Sequence, residues 1–121
     1  MMVKRTSLIG DGMIQIAAGF WSRLFGLMFK KQINYGLWLL PCRSIHTFGM
    51  RFSIDVVYLD VWGEVVGWQC DVPPNRVVIA PKQTFSIIEY QSGQHSLTPI
   101  KIGQYFFSEM IDEISERKCH H

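Results

Sequence analysis

Cysteine is scarce in this sequence, and no two cysteines have the spacing of a zinc site. The three that occur, Cys42, Cys70 and Cys119, are far apart, and the chain has no CxxC pair. An odd number at such spacing argues against a disulfide framework and against a zinc centre. It indicates a reducing compartment, so we predict a cytoplasmic protein. Because no spacing matches a metal site, we predict no metal, and we predict no cofactor.

Long hydrophobic runs and blocks of one charge are also lacking. No apolar run approaches the roughly 20 residues of a membrane helix, so no membrane span is predicted. Lys4 and Arg5 could begin a signal peptide, but Asp11 and its flanking glycines interrupt the apolar stretch that a signal needs, which leaves export as the alternative. Twelve basic and ten acidic side chains give a net charge of +2 without any cluster, so no nucleic-acid partner is expected.

The sequence does contain enough apolar residues for one core. The chain has 121 residues, of which 48% are hydrophobic, and this size suits one domain that folds without disulfides or a structural metal. No repeat, low-complexity tract or linker divides it. We predict a single domain over residues 1–121, in which 109–121 form a C-terminal helix and tail.

Short segments rich in β-branched and aromatic residues alternate with turn residues. The predicted strands cover residues 3–9, 13–17, 36–40, 52–59, 64–70, 77–80, 84–91 and 104–107. Turns at 10–12 and 60–63 predict two hairpins, and prolines make 71–76 a surface crossing. Helical spacing predicts a short internal helix at about 20–30 and a C-terminal helix at 110–117. The fold class is mainly β, a small barrel-like or rolled antiparallel or mixed sheet with these two helices.

The central segment 42–60, CRSIHTFGMRFSIDVVYLD, resembles the hallmark of the domain of unknown function 192 family. The resemblance extends through RLFGLM at 23–28, GEVV at 63–66 and IIE at 87–89, and it covers about residues 12–107. It implies a compact β-barrel-like domain found in bacteria and archaea. Four positions within or beside these motifs are expected to support the structure: Arg23, Gly26, Asp60 and Gly63.

Cys42 and His46 have the chemistry of a nucleophile and a base. Four residues apart, they would be neighbours within about 6 Å on a helix but would stand about 13 Å apart along a strand. Pro41 precedes them and a strand follows, which favours the extended geometry and argues against a dyad. The structural alternatives are a buried small Cys42 and a hydrogen-bonded rim His46. His95 could complete a metal site with them, although no spacing specifies one.

An unbroken strand through this segment would divide its side chains between two faces. One face would carry Cys42, Ser44, His46, Phe48 and Met50; the other would carry Arg43, Ile45, Thr47 and Arg51. Gly49 could break that register with a bulge.

Asp55 is the most unusual polar residue, because it lies between Ile54 and Val56 in an apolar strand and is costly to bury without a partner. Arg23 and Arg51 are the partners that the sequence offers, since a guanidinium can hold a carboxylate with two hydrogen bonds. A structural ion pair or a backbone-bonded carboxylate is favoured over a catalytic acid or base.

Two functions remain open from the residues alone. The favoured one is a non-catalytic binding or accessory module whose ligand is a protein or a small molecule, and in which no residue is assigned a catalytic role. Trp62, expected to be exposed in the hairpin turn, would belong to a contact surface. The alternative is a small enzyme or metal-binding protein with a site near Cys42, His46, Arg51 and Asp55.

Overall fold

The computed structural model describes residues 2–5, 12–17, 27–93 and 102–106. These residues contain eight strands: β1 Met2–Arg5, β2 Gly12–Ala17, β3 Gly36–Leu39, β4 Ser44–His46, β5 Ile54–Leu59, β6 Val65–Val72, β7 Val77–Ile79 and β8 Ser86–Gln91. The prediction of a mainly β fold is confirmed. The predicted C-terminal helix and most of the predicted internal helix lie outside the described residues, and 27–29 form a turn.

Six strands form a mixed sheet in the order β1-β2-β3-β8-β5-β6. Strands β2 and β3 are parallel, and the other neighbouring pairs are antiparallel. The predicted mixed sheet is therefore observed. Among the described strands it is open, with β1 and β6 at its edges, and no closure into a barrel is seen. The predicted antiparallel pairing of the first two strands is confirmed for β1 and β2. Gly12, predicted in the turn between them, instead lies in β2 opposite Arg5, and residues 6–11 lie outside the described part of the chain.

The three central strands β3, β8 and β5 are buried almost throughout. Strands covered on both faces have near-continuous apolar sequences, as the wholly apolar residues of β3 predicted. Val57, Ile88 and Phe106 belong to the core on one face of the sheet. Val56 and Ile87 belong to the core on the other face.

The central hairpin joins β5 to β6 as predicted. Its turn is stabilised by Asp60, whose Oδ1 accepts the backbone N–H groups of Trp62 and Glu64 at 2.9 Å each, and by Gly63 at φ 86°. Strand β6 continues to Val72, two residues beyond the predicted end. The predicted surface crossing therefore starts later, because the ladder ends at the prolines, which cannot donate a backbone hydrogen bond.

Residues 102–106 run beside this hairpin. Where the sequence predicts a strand at 104–107, the structure has an isolated bridge between Glu64 and Tyr105, and residue 107 lies outside the described part of the chain. The backbone N–H of Phe106 donates to the Gly63 carbonyl at 3.0 Å.

Strands β4 and β7 form a separate two-stranded antiparallel sheet. The inner side chains Ile45 and Val78 pack into the core that contains Val56 and Ile87. The small sheet thus covers one face of the large sheet and leaves its own outer face toward solvent.

Candidate functional site

The segment after Cys42 alternates between the core and solvent. Ile45 and Thr47 are buried, whereas Ser44 and Phe48 are exposed and His46 is half-buried. The predicted alternation holds from Ser44 to Phe48. It fails for Cys42, which packs against the same core as Ile45, and for Arg43, which is exposed. Gly49, with a φ of 74°, breaks the register after Phe48. Consequently Met50 is buried in the core rather than sharing the exposed face of His46.

Cys42 and His46 are separated by the extended strand β4, the geometry in which a direct dyad is not expected. The Cys42 thiol donates to the Ser44 carbonyl at 3.1 Å. The Phe48 backbone N–H donates to His46 Nδ1 at 3.2 Å, and the two rings stack with centroids 5.5 Å apart. Both side chains therefore take part in local contacts within their own segment.

Asp55 is 5% exposed, and its partners belong to neighbouring strands. Its Oδ1 accepts the Asp71 backbone N–H and the Ser92 hydroxyl, both at 2.9 Å. The β5–β6 register shifts between Ile54 and Val56, and Asp71 has φ 56°. Asp55 thus satisfies an N–H beside an irregularity in the ladder.

The expectation that Arg51 pairs with Asp55 is wrong. The Arg51 side chain is exposed, and the donors to Asp55 come from the end of β6 and from Ser92. The other expected partner, Arg23, lies outside the described residues, as does Gly26.

Replacing Asp55 with alanine is expected to lower the melting temperature, because the Asp71 N–H and the Ser92 hydroxyl lose their acceptor. The expected loss is about 2 kcal/mol of unfolding free energy. Asp55→Asn retains an oxygen acceptor and should lose less. Thermal denaturation of both variants measures the difference, and a melting temperature unchanged in Asp55→Ala would contradict this structural role.

The large sheet separates Asp55 from the segment of Cys42 and His46. Asp55 pairs across the ladder with Tyr90, whose side chain belongs to the core opposite the small sheet. Its neighbours Ile54 and Val56 point toward the small sheet instead. Asp55 therefore does not share a face of the large sheet with Cys42 and His46.

The thiols and potential metal ligands give no assembled centre in the described ranges. Cys70 is exposed, and desolvation, followed by the charges of Asp55 and Asp71, raises the pKa of its thiol, which lowers the thiolate fraction. Among the described residues no group of three His, Cys, Asp or Glu side chains could hold a metal ion. His95 lies outside those residues.

Glu89 was missed as a candidate, although it carries the same sequence signal as Asp55, a carboxyl within an apolar strand. It is 2% exposed on β8, opposite Leu37 on β3 and Val56 on β5. Its Oε2 has no hydrogen-bond partner. Burial raises the pKa of Glu89 to about 8, so the carboxyl is mostly protonated at neutral pH.

The outer face of the small sheet carries an apolar patch, which we define as Phe29, His46, Phe48, Val77 and Ile79. Its members are linked by stacking of His46 on Phe48 and by the cross-strand pair of His46 with Val77. Phe29 packs against Gly49, where an added Cβ would lie 3.3 Å from its ring. Ile79 is 81% exposed and Phe48 47%.

Thr47 connects this patch to the loop that leaves β6. Its buried hydroxyl donates to the Pro73 carbonyl at 2.7 Å and accepts the Arg76 backbone N–H at 2.8 Å. Arg76 directly precedes β7. One side chain thereby fixes the start of the strand that carries Val77 and Ile79.

A second pair of exposed apolar side chains, Val61 and Trp62, lies at the hairpin tip, and Ile102 is exposed in the segment that runs beside the hairpin. The expected exposure of Trp62 is observed at 52%. Asp60 and Glu64 flank this tip, and both are half-buried. The hairpin tip is thus acidic.

Fold and site together define a small, mainly β domain that exposes an apolar patch on a two-stranded sheet. The chain belongs to the DUF192 family, whose model, described as an uncharacterised ACR, matches residues 4–106. This confirms the resemblance drawn from segment 42–60. Within the described residues no helix has both the length and the hydropathy to cross a membrane.

Curated relatives include UPF0127 proteins from archaea. A UPF0127 protein of Thermococcus sibiricus is 34% identical over 121 residues, covering 94% of this chain and 73% of its own. A UPF0127 protein of Pyrococcus horikoshii is 36% identical over 99 residues, covering 77% of this chain and 85% of its own.

Two solved structures share the fold, each with a TM-score of 0.69. One is a protein of unknown function from Novosphingobium aromaticivorans, 18% identical, covering 84% of this chain and 80% of that one. The other is described as a putative transcription regulator from Sinorhizobium meliloti, 12% identical, covering 84% of this chain and 85% of that one. At these identities the likeness concerns the fold.

Proposed function

We propose that this protein is a non-catalytic binding module, and that the apolar patch binds a peptide segment of another protein. The observation that carries the proposal is the exposure of Val77 and Ile79 on the outer face of the small sheet, together with two exposed aromatic rings, Phe29 and Phe48, in the turns beside it. Contiguous exposed apolar side chains mark interaction surfaces more often than scattered ones do.

The arrangement of the candidate catalytic residues supports binding over catalysis. A nucleophile and its base must lie within hydrogen-bond reach of each other, whereas Cys42 donates to a carbonyl within its own segment. Asp55 is occupied by donors at the ends of neighbouring strands and faces the opposite side of the large sheet. These side chains have structural partners.

The hydrogen bonds that hold the two strands beneath the patch also favour specific binding. Its strands pair through a regular antiparallel ladder, and Thr47 fixes the entry to β7 through two short hydrogen bonds. A surface held in one conformation loses less conformational entropy when it binds.

Selection from a random-peptide display library tests the proposal. The wild-type protein is expected to enrich a related set of peptides, and Phe48→Ser/Ile79→Ser is expected to lose that enrichment, because it removes the most exposed aliphatic side chain of the patch and a central ring. Both side chains are exposed, so circular dichroism should show an intact fold.

The matched control is Val61→Ser/Ile102→Ser, which removes two exposed apolar side chains outside the apolar patch. It should enrich the same peptides as the wild type. Failure of the wild type to enrich any peptide family, or equal loss in both double variants, would contradict the patch as the binding surface.

A further inference from the structure

We propose that the occupant of the apolar patch is an extended acidic peptide that adds as a third strand to the free edge of β7, with carboxylates reaching Arg76 and Lys82. This inference rests on the proposed function and specifies its partner. It is carried by the register of the small sheet and by the charges around it.

The register shows which backbone groups of β7 face outward. The Thr47 N–H donates to the Arg76 carbonyl, and the Ala80 N–H donates to the Arg43 carbonyl. In an antiparallel pair such bonds flank residues that do not bond each other directly. The pairs of Val77 with His46 and of Ile79 with Ser44 are therefore non-hydrogen-bonded.

The N–H and C=O groups of Val77 and Ile79 consequently point away from β4. They form a short edge with alternating donors and acceptors, the template on which an extended peptide adds as a strand. The side chains of the same two residues lie on the outer face and are exposed. One peptide strand could therefore use the backbone edge and the patch together.

The length of this edge is limited at both ends. Pro74 and Pro81 bracket β7 in the sequence, and proline cannot donate to a ladder. The strand itself has three residues. The added segment is thus short, and side chains must supply much of its affinity and specificity.

The charges around β7 select the sign of the partner. Segments 43–51 and 74–82, which build both strands of the small sheet, contain four Lys or Arg residues and no Asp or Glu. Arg76 precedes β7, Lys82 follows it, and Arg43 Nη2 donates to the Lys82 carbonyl at 3.2 Å. Arg76 and Lys82 are both exposed. Carboxylates on either side of a short apolar stretch in the peptide would therefore meet positive charge at each end of β7.

Four synthetic peptides test this occupant by fluorescence polarisation at low salt. The first is Glu-Glu-Val-Ser-Ile-Ser-Glu-Glu, and the second has lysines in place of the glutamates. The third peptide has the first sequence with N-methyl groups on the Val and Ile amides. The fourth has the first sequence with N-methyl groups on the two Ser amides. In an added strand, alternate amides face β7, so only one methylation pattern should remove binding.

The glutamate peptide is expected to bind at least about tenfold more tightly than the lysine peptide, and added salt should weaken it. Arg76→Glu/Lys82→Glu is expected to reverse that preference. Equal binding of both methylated peptides would overturn strand addition. No binding of the glutamate peptide, or equal binding of the glutamate and lysine peptides, would overturn the acidic occupant.

These outcomes are separable from failure of the proposed function. If the display library yields peptides that depend on Phe48 and Ile79 but are basic or uncharged, the patch is the binding surface and the acidic strand is wrong. If the library yields no peptide that depends on these side chains, the binding module itself is wrong.

Discussion

Replacing Glu89 with glutamine is expected to make the protein more stable at pH 8 by several kcal/mol and to change little at pH 5. Glu89 is 2% exposed and lies opposite Leu37 and Val56 in the sheet. Neither of these opposite side chains can pair with a carboxylate. Glutamine preserves the shape of the side chain and removes its ionisation.

The loss of stability as the pH rises follows from the raised pKa of Glu89, which is about 8 in the folded protein against an ordinary value of 4.5. Below pH 4.5 both the folded and unfolded chains hold the proton. Between pH 4.5 and 8 only the folded chain does, so stability falls by about 1.4 kcal/mol per pH unit, about 5 kcal/mol in total. Above pH 8 neither the folded nor the unfolded chain holds the proton, so the free energy of unfolding no longer falls with pH through Glu89.

Urea denaturation from pH 4 to 9, performed on the wild type and Glu89→Gln, measures this effect as a difference between two curves. Other titrating groups contribute to both curves and largely cancel. Glu89→Leu is the second variant, and it should be more stable than the wild type at pH 8, because an apolar side chain of similar volume replaces a buried polar one. Parallel wild-type and Glu89→Gln curves would show that Glu89 is not a buried acid.

Thr47→Val is expected to destabilise the protein by about 3 kcal/mol, which corresponds to a fall in melting temperature on the order of 10 °C. Valine has nearly the same shape but no hydroxyl. The Pro73 carbonyl and the Arg76 N–H would lose the bonds of 2.7 Å and 2.8 Å that they make with Thr47, and an unsatisfied buried polar group costs about 1–3 kcal/mol.

The same substitution should weaken binding at the apolar patch, because the Arg76 N–H contact holds the start of β7. Thr47→Ser keeps the hydroxyl and is the matched control, expected to retain most of the stability and the affinity. Thermal denaturation and the display-selected peptide provide the two measurements. A Thr47→Val variant as stable as Thr47→Ser would show that the hydroxyl does not hold this loop.

Local patterns were sufficient to predict most strands and the central hairpin. The apolar sequence of β3, the Asp60 and Gly63 turn and the register break at Gly49 each depend on residues close together in the chain. The end of β6 was misplaced by two residues, because Asp71 adopts a conformation that Asp tolerates and its N–H has the Asp55 carboxyl as acceptor.

Strand order and the apolar patch could not be predicted in the same way, because they depend on pairing between distant segments. The parallel pairing of β2 with β3 has no local signature. Likewise, β4 and β7 are about thirty residues apart in sequence, so nothing near His46 indicates that Val77 lies opposite it. For a related reason, the sequence could not show that His46 and Asp55 lie apart: Asp55 follows His46 closely in sequence but faces the other side of the large sheet.

Glu89 could have been predicted from the sequence as a buried acid, although it was not among the candidate residues. Like Asp55, Glu89 is a carboxyl within an apolar strand: it follows two isoleucines and precedes Tyr90. The two acids differ in their partners. Asp55 finds donors at the ends of β6 and β8, whereas Glu89 lies in the middle of the sheet width, where backbone donors are used by the ladders.

The most direct test of the apolar patch is the dissociation constant of one display-selected peptide measured against three proteins. Wild type and Val61→Ser/Ile102→Ser should agree within about twofold, and Phe48→Ser/Ile79→Ser should bind at least about tenfold more weakly, as expected when central contact side chains are removed. Equal affinity for all three proteins would contradict the patch as the binding surface.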